Sequence, residues 1–252
     1  MTIKNLVDRI GFIKNLDLAD TGVALKTAKM TTLAFTDNEK SAYVDSGSLV
    51  SFVAGVSAQH KSDALNATLL AQLAANKKYD REKNAVEWYK FYVSVLENVG
   101  WVVQEWNFTK FNARGNTFSV DNVIADVLAA IATAEDKNVI EETINAIKAL
   151  DNGDGRLTIW DQNSASLDKG NFQISACSES QGVLTMKLGA FYFSTDETVN
   201  RVLWFQFSTS RTEFYKGGQT VNLNEDIYKQ VRQAIIDKLG ESATNFVADL
   251  EI

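Results

Sequence analysis

Proline is absent from this sequence, where average usage would put about a dozen in 252 residues. Turns must therefore be shaped by glycine, asparagine and aspartate. Cysteine occurs once, as Cys177, which excludes an internal disulfide and any multi-cysteine metal cluster. Histidine also occurs once, as His60. That excludes zinc sites built on a histidine pair and facial triads that need two imidazoles. A serine triad would have to use His60, and no G-x-S-x-G elbow offers the serine. The glycine motifs that cradle nucleotide phosphates, G-x-x-x-x-G-K-S/T and G-x-G-x-x-G, are missing too. No cofactor is expected and no catalytic residue stands out.

Long apolar runs are lacking as well. Leu49 to Val56 and Val123 to Ala132 are the longest, and the second is broken by Asp126. Both fall far short of the ~20 residues that span a bilayer as a helix. The opening MTIKNLVDRIGFIKN mixes polar and apolar residues at helical spacing, unlike the basic start and apolar run of a secretory signal. The expected location is the cytoplasm, or outside the cell by a route without a Sec signal peptide. Positive charge is scarce: the net charge is -7, and the densest basic stretch, Lys77 to Lys83, already contains Asp80 and Glu82. Nucleic acid is not an expected partner, because phosphate neutralisation needs a cationic stripe. Electrostatic docking on anionic lipid is disfavoured, while hydrophobic insertion stays open.

What is present is an ordinary globular composition, 45% hydrophobic and 23% charged, able to bury a large core without a staple. The periodicity predicts an α+β fold: a mainly helical part over about residues 1–150 packed on an antiparallel meander within about 151–252, closed by a C-terminal helix, all in a single domain. Thr2 caps a first helix with Ile3, Leu6, Val7, Ile10 and Ile13 on one face, and Leu33 with Phe35 alternate like a short strand. Ser48 to Ala58 reads as a buried helix, Ser62 to Lys77 as another, and Ala85 to Val99 as a central aromatic helix ended by Gly100. Trp101 to Phe111 has strand composition. Two amphipathic helices follow, capped by Ser119 and Asp136 and separated only by Ala134-Glu135, as in an antiparallel hairpin bounded by Gly115 and by Gly153 and Gly155. LTIW, NFQISA, VLTMKLGAFYF, RVLWFQFST and TEFYK are the expected strands, and Asn224 caps the last helix.

Several motifs invite chemistry. Asp20-Thr21-Gly22 and Asp45-Ser46-Gly47-Ser48 resemble aspartic-protease loops, but paired carboxylates need two β lobes to present them, so turn chemistry is expected. Asn152, Asp154 and Asp161 fall on ligand positions of a shortened calcium loop that lacks its first acid and its last glutamate; a helix-to-strand turn is the default. Cys177 is a candidate reactive or modified thiol. Trp88, Tyr92, Phe191, Phe193, Trp204 and Phe205 are candidates for a ligand or interaction surface, since strands with two apolar faces need cover on both sides.

In layout the chain resembles microbial membrane-active toxins in which helices cover a sheet. Three classes remain open. The first is a non-catalytic interaction protein, a membrane-associating or self-assembling effector. The second is a histidine-free, carboxylate-based hydrolase. The third is a carrier of a small hydrophobic ligand or lipid in a cavity lined by Trp88, Tyr92, Trp204 and Phe205.

Overall fold

A computed structural model describes residues 6–19, 35–103, 108–240 and 242–252. Helix α1 (Leu6–Lys14) precedes a hairpin of β1 (Ser41–Asp45) and β2 (Ser48–Phe52). Helices α2 (Ala58–Lys78) and α3 (Ala85–Asn98) lead to the short strands β3 (Trp101–Val103), β4 (Thr109–Lys110) and β5 (Thr117–Ser119). Next come α4 (Val120–Ile131), α5 (Ala134–Lys148) and α6 (Gly155–Ser164). Long strands β6 (Lys169–Ser180) and β7 (Val183–Thr195) precede a single 3-10 turn at Val202–Trp204. The chain closes with β8 (Gln206–Ser208), β9 (Thr212–Leu223), α7 (Glu225–Leu239), α8 (Ser242–Phe246) and β10 (Val247–Leu250).

The fold is α+β, as its periodicity implies, but the sheet is larger and less simple than a C-terminal meander. Among the described residues an eight-stranded sheet runs β10-β1-β2-β6-β7-β9-β3, with β4 also on β9, and β5 pairs β8 in a separate ribbon. β2 and β6 are parallel, with Leu49 opposite Ile174 and Phe52 opposite Cys177; the other pairings are antiparallel. The N-terminal half therefore supplies strands as well as helices.

Three local expectations are corrected. Ser48 to Phe52 is a strand, not the start of a helix; all five residues are buried, so no alternation marks its period. LTIW lies in helix α6, because the Asp154 side chain accepts from Arg156 N at 2.8 Å and caps a helix there. RVLWFQFST gives only the 3-10 turn and the three residues of β8. Thr2, Ile3, Leu33, Asp20 to Gly22 and Gln104 to Asn107 lie outside the described residues.

Helices cover both faces of the sheet. On one, Thr68 and Gln72 of α2 bond Asp45 of β1, and Tyr89 of α3 meets Gln173 of β6. On the other, Thr143 of α5 meets Ser51 of β2, Trp160 of α6 packs on Phe172, and α4 lies over Gly218 of β9. Gly218 is needed for that approach: a Cβ there would stand 2.8 Å from Val127 Cγ1.

Candidate functional site: the α4–α5 layer

Helix α4 turns Val120, Val123, Ile124, Val127 and Leu128 inward, and α5 does the same with Val139, Ile140, Ile144 and Ile147. Thr133 and Asp136 form a reciprocal capping box that starts α5 two residues after α4 ends. The helices run antiparallel, since Lys148 at the end of α5 pairs with Asp121 at the start of α4 at 2.8 Å. They do not close on each other. A groove of about 440 Å³ lies between them, with Ile124, Leu128, Ile140 and Ile144 below and Asp121, Lys137, Glu141 and Lys148 on its rim.

Beneath this layer the sheet is aromatic. Phe172 stacks on Phe191 at 5.1 Å, and Phe193 meets Phe207 at 4.9 Å and Phe214 at 5.9 Å. Phe118 of the β5–β8 ribbon joins at 5.4 Å from Phe207. The layer is held to the sheet mainly by apolar contact. Among the described residues, the Ser51–Thr143 hydroxyl pair at 2.8 Å is the one buried side-chain hydrogen bond from α4 or α5 to a strand. Lys216 of β9 adds an ion pair with Asp126 of α4.

The opposite layer is bonded into the sheet. Thr68 Oγ1 donates to Asp45 Oδ2 at 2.5 Å, and Gln72 spans the turn, donating to Asp45 O at 3.0 Å and accepting from Gly47 N at 3.1 Å. Tyr89 donates to Phe172 O at 3.2 Å and accepts from Gln173 Nε2 at 2.9 Å. Burial pushes the Asp45 carboxyl up to about 8, with the Thr68 hydrogen bond acting weakly the other way. Asp45 is thus a neutral acid at the β1–β2 turn.

Of the residues expected at an interaction surface, Trp88, Tyr92, Phe191 and Phe193 are core; the reason is that helices cover both sheet faces. Trp88 and Tyr92 stack on one another at 5.4 Å within the α2–α3 side. Trp204 is 38% exposed in the 3-10 turn that packs on α4, and Phe205 is half-buried against Phe207, both on the other side. The four residues of the expected carrier cavity are therefore divided by the sheet. Cys177 is fully buried, and burial pushes its thiol well up, away from the thiolate form.

The calcium-loop residues do not converge. Asp154 caps α6 and pairs with Arg156 at 2.9 Å, while Asp161 faces Arg201 at 3.3 Å. Seven residues of helix place them ~10 Å apart along the axis, and Asn152 is exposed in the preceding turn.

Sequence reasoning assigned no partners to His60, which is 8% exposed. Its Nδ1 lies 2.8 Å from Glu179 and its Nε2 3.6 Å from Glu225. His60, Asp63 and Glu225 bring donor atoms within 4.8 Å of one another, but a cation is already there. Arg232 bonds both oxygens of Asp63, at 2.8 and 2.7 Å, and Glu225 at 2.8 Å. The cluster clasps α2, β6 and α7. The signal for it was spread over residues 60, 179, 225 and 232, with no local spacing to reveal it.

No family model and no curated protein matches this sequence. Among solved structures, a delta-endotoxin is similar at 12% identity and a TM-score of 0.41, over 81% of this chain and 91% of that one. The Evf virulence factor is similar at 11% identity and a TM-score of 0.36, over 82% and 85%. The activated Cyt2Ba monomer from Bacillus thuringiensis subsp. israelensis is similar at 14% identity and a TM-score of 0.31, over 54% and 79%.

Proposed function

We propose that this chain is a non-catalytic, membrane-associating protein in which the α4–α5 layer leaves the sheet and lays its apolar stripe on a bilayer. The observation that carries this reading is the unequal fastening of the two helical layers. Separating α2 and α3 from the sheet would orphan a network of buried polar groups, each costing roughly 1–3 kcal/mol. Separating α4 and α5 breaks one buried hydrogen bond and rim ion pairs worth about 0–1 kcal/mol each. Their apolar contacts are exchangeable, since lipid tails are as apolar as a protein core.

Length sets the mode of insertion. With 12 and 15 residues, α4 and α5 are ~18 and ~22 Å long at 1.5 Å per residue, too short for a ~30 Å hydrocarbon core. No described helix is long and apolar enough to cross a membrane. The helices suit the interface plane, apolar side down. Gly115 and Gly153, at φ 99° and 97°, flank the layer and supply backbone freedom at its two ends.

The test is a tether. Ser51 and Thr143 hold their hydroxyl oxygens 2.8 Å apart, so Ser51→Cys with Thr143→Cys places two sulfurs where a disulfide can form. The oxidised double variant should lose binding to and leakage of phosphatidylcholine vesicles, and reduction should restore both. Vesicle activity that is unchanged by oxidation would defeat the proposal.

A further inference from the structure

His60 and Asp63 stand one helical turn apart on α2, so both side chains leave the same face of the helix. Glu225, the first residue of α7, meets them there. Each of the three brings a donor atom within 4.8 Å of the other two. His60 Nε2 and Glu225 Oε2 are 3.6 Å apart, too far for a hydrogen bond. That separation is close to the edge, about 3.4 Å, of a tetrahedron whose bonds have the zinc–nitrogen and zinc–oxygen length of about 2.0–2.1 Å.

Arg232 is the cation already present, and it covers one side of the cluster only. It takes both oxygens of Asp63 and Oε1 of Glu225. Glu225 Oε2, though buried, accepts no hydrogen bond among the described residues. The buried His60 ring turns Nε2 toward that bare oxygen. Its other nitrogen, Nδ1, lies 2.8 Å from Glu179 Oε2 but out of line for a hydrogen bond. Glu179 is itself fixed by Ser57, whose N and Oγ each donate to it at 3.0 Å. The three carboxylates of Asp63, Glu179 and Glu225 share a single guanidinium, which leaves two negative charges uncompensated. The Glu225 side chain is 40% exposed, so the cluster opens to solvent on the α7 side.

We propose that His60 Nε2, Glu225 Oε2 and the Asp63 carboxylate bind one zinc ion, with Glu179 and Arg232 orienting these ligands. One imidazole and two carboxylates are donors that zinc takes, and a tetrahedral ion keeps its fourth position for water. The imidazole selects against magnesium and calcium, which take oxygen ligands. A metal-bound histidine passes its other N–H to a carboxylate, and ligating carboxylates are themselves hydrogen-bonded. Glu179 beside Nδ1 and Arg232 on the two acids stand in those positions. The ion would fasten α2 to α7, with β6 held through Glu179. This is the helical layer opposite α4–α5, so the oxidised Ser51→Cys, Thr143→Cys protein should bind zinc as the wild type does.

The experiment is titration calorimetry of the chelator-stripped, folded chain with zinc chloride, supported by thermal unfolding. Calorimetry on the native state avoids the binding of zinc to unfolded cysteine and histidine that blunts a melting shift. Wild type should take up one ion per chain and melt at higher temperature, saturably. His60→Gln should lose both responses. Should that variant fold poorly, Glu225→Gln, at the half-exposed start of α7, removes the bare carboxylate oxygen and should lose them too. Glu179→Gln, which changes only the orienting carboxylate, should bind about 10–100-fold more weakly than wild type. No saturable uptake by wild type, equal uptake by wild type and His60→Gln, or magnesium binding as tight as zinc binding would each overturn the proposal.

Discussion

At the scale of single residues, Asp45 is the group whose ionisation should be read most directly in stability. An unfolded aspartate titrates near 4, whereas burial holds Asp45 up to about 8. The folded state keeps a proton that the unfolded chain has released. Its stabilising contribution is therefore full below about pH 4, declines as pH rises through the interval to about 8, and then levels. Asp45→Asn keeps an oxygen for the Thr68 hydroxyl and removes the titration. Urea unfolding at pH 5 and pH 8 should show wild type losing stability relative to the variant across that interval; parallel curves would show that Asp45 is not held neutral. Burial of this carboxyl was not legible in the sequence. Asp-Ser-Gly-Ser announces a turn and says nothing about which helix lies over it. Here Thr68 and Gln72, on α2, decide the matter.

At the scale of elements, the seat of α4 on β9 depends on the bare backbone at Gly218. Gly218→Val would drive methyl groups into Val127, 2.8 Å from the position of the first added carbon, and toward Ile131 at 3.3 Å. Overpacking of this kind costs about 1–3 kcal/mol. The variant should unfold at lower urea and, if α4 is the part that leaves the sheet, bind phosphatidylcholine vesicles faster than wild type. Lower stability with unchanged vesicle kinetics would place the loosened element elsewhere. The amphipathic helices α4, α5 and α7 were readable because each has one face to water, which preserves the 3.6-residue period. Strand β2 and helix α6 were not. Five consecutive buried residues at Ser48–Phe52 leave no period to read, and the short LTIW run is compatible with either state until Asp154 caps it.

At the scale of the whole molecule, strands from both ends of the chain interleave in one sheet. β10 pairs β1, and β2 lies beside β6 in parallel. A cut in the exposed turn between Asn152 and Asp154 should leave a native complex of two pieces that unfold together, and residues 155–252 alone should not reach the native state. Size-exclusion chromatography with circular dichroism of the nicked and isolated pieces checks this; an independently folded C-terminal piece would show two autonomous units.

The sequence by itself determined the exclusions, the acidic surface, the mixed α and β content and the helices with a wet face, because these follow from composition and local periodicity. Only the tertiary structure decided that both faces of the sheet are covered, which turned Trp88, Tyr92, Phe191 and Phe193 into core. Only it brought His60, Glu179, Glu225 and Arg232 together. The physical reason is range: a helix stripe is written within a few turns, whereas burial and pairing of charge depend on residues a hundred or more positions apart.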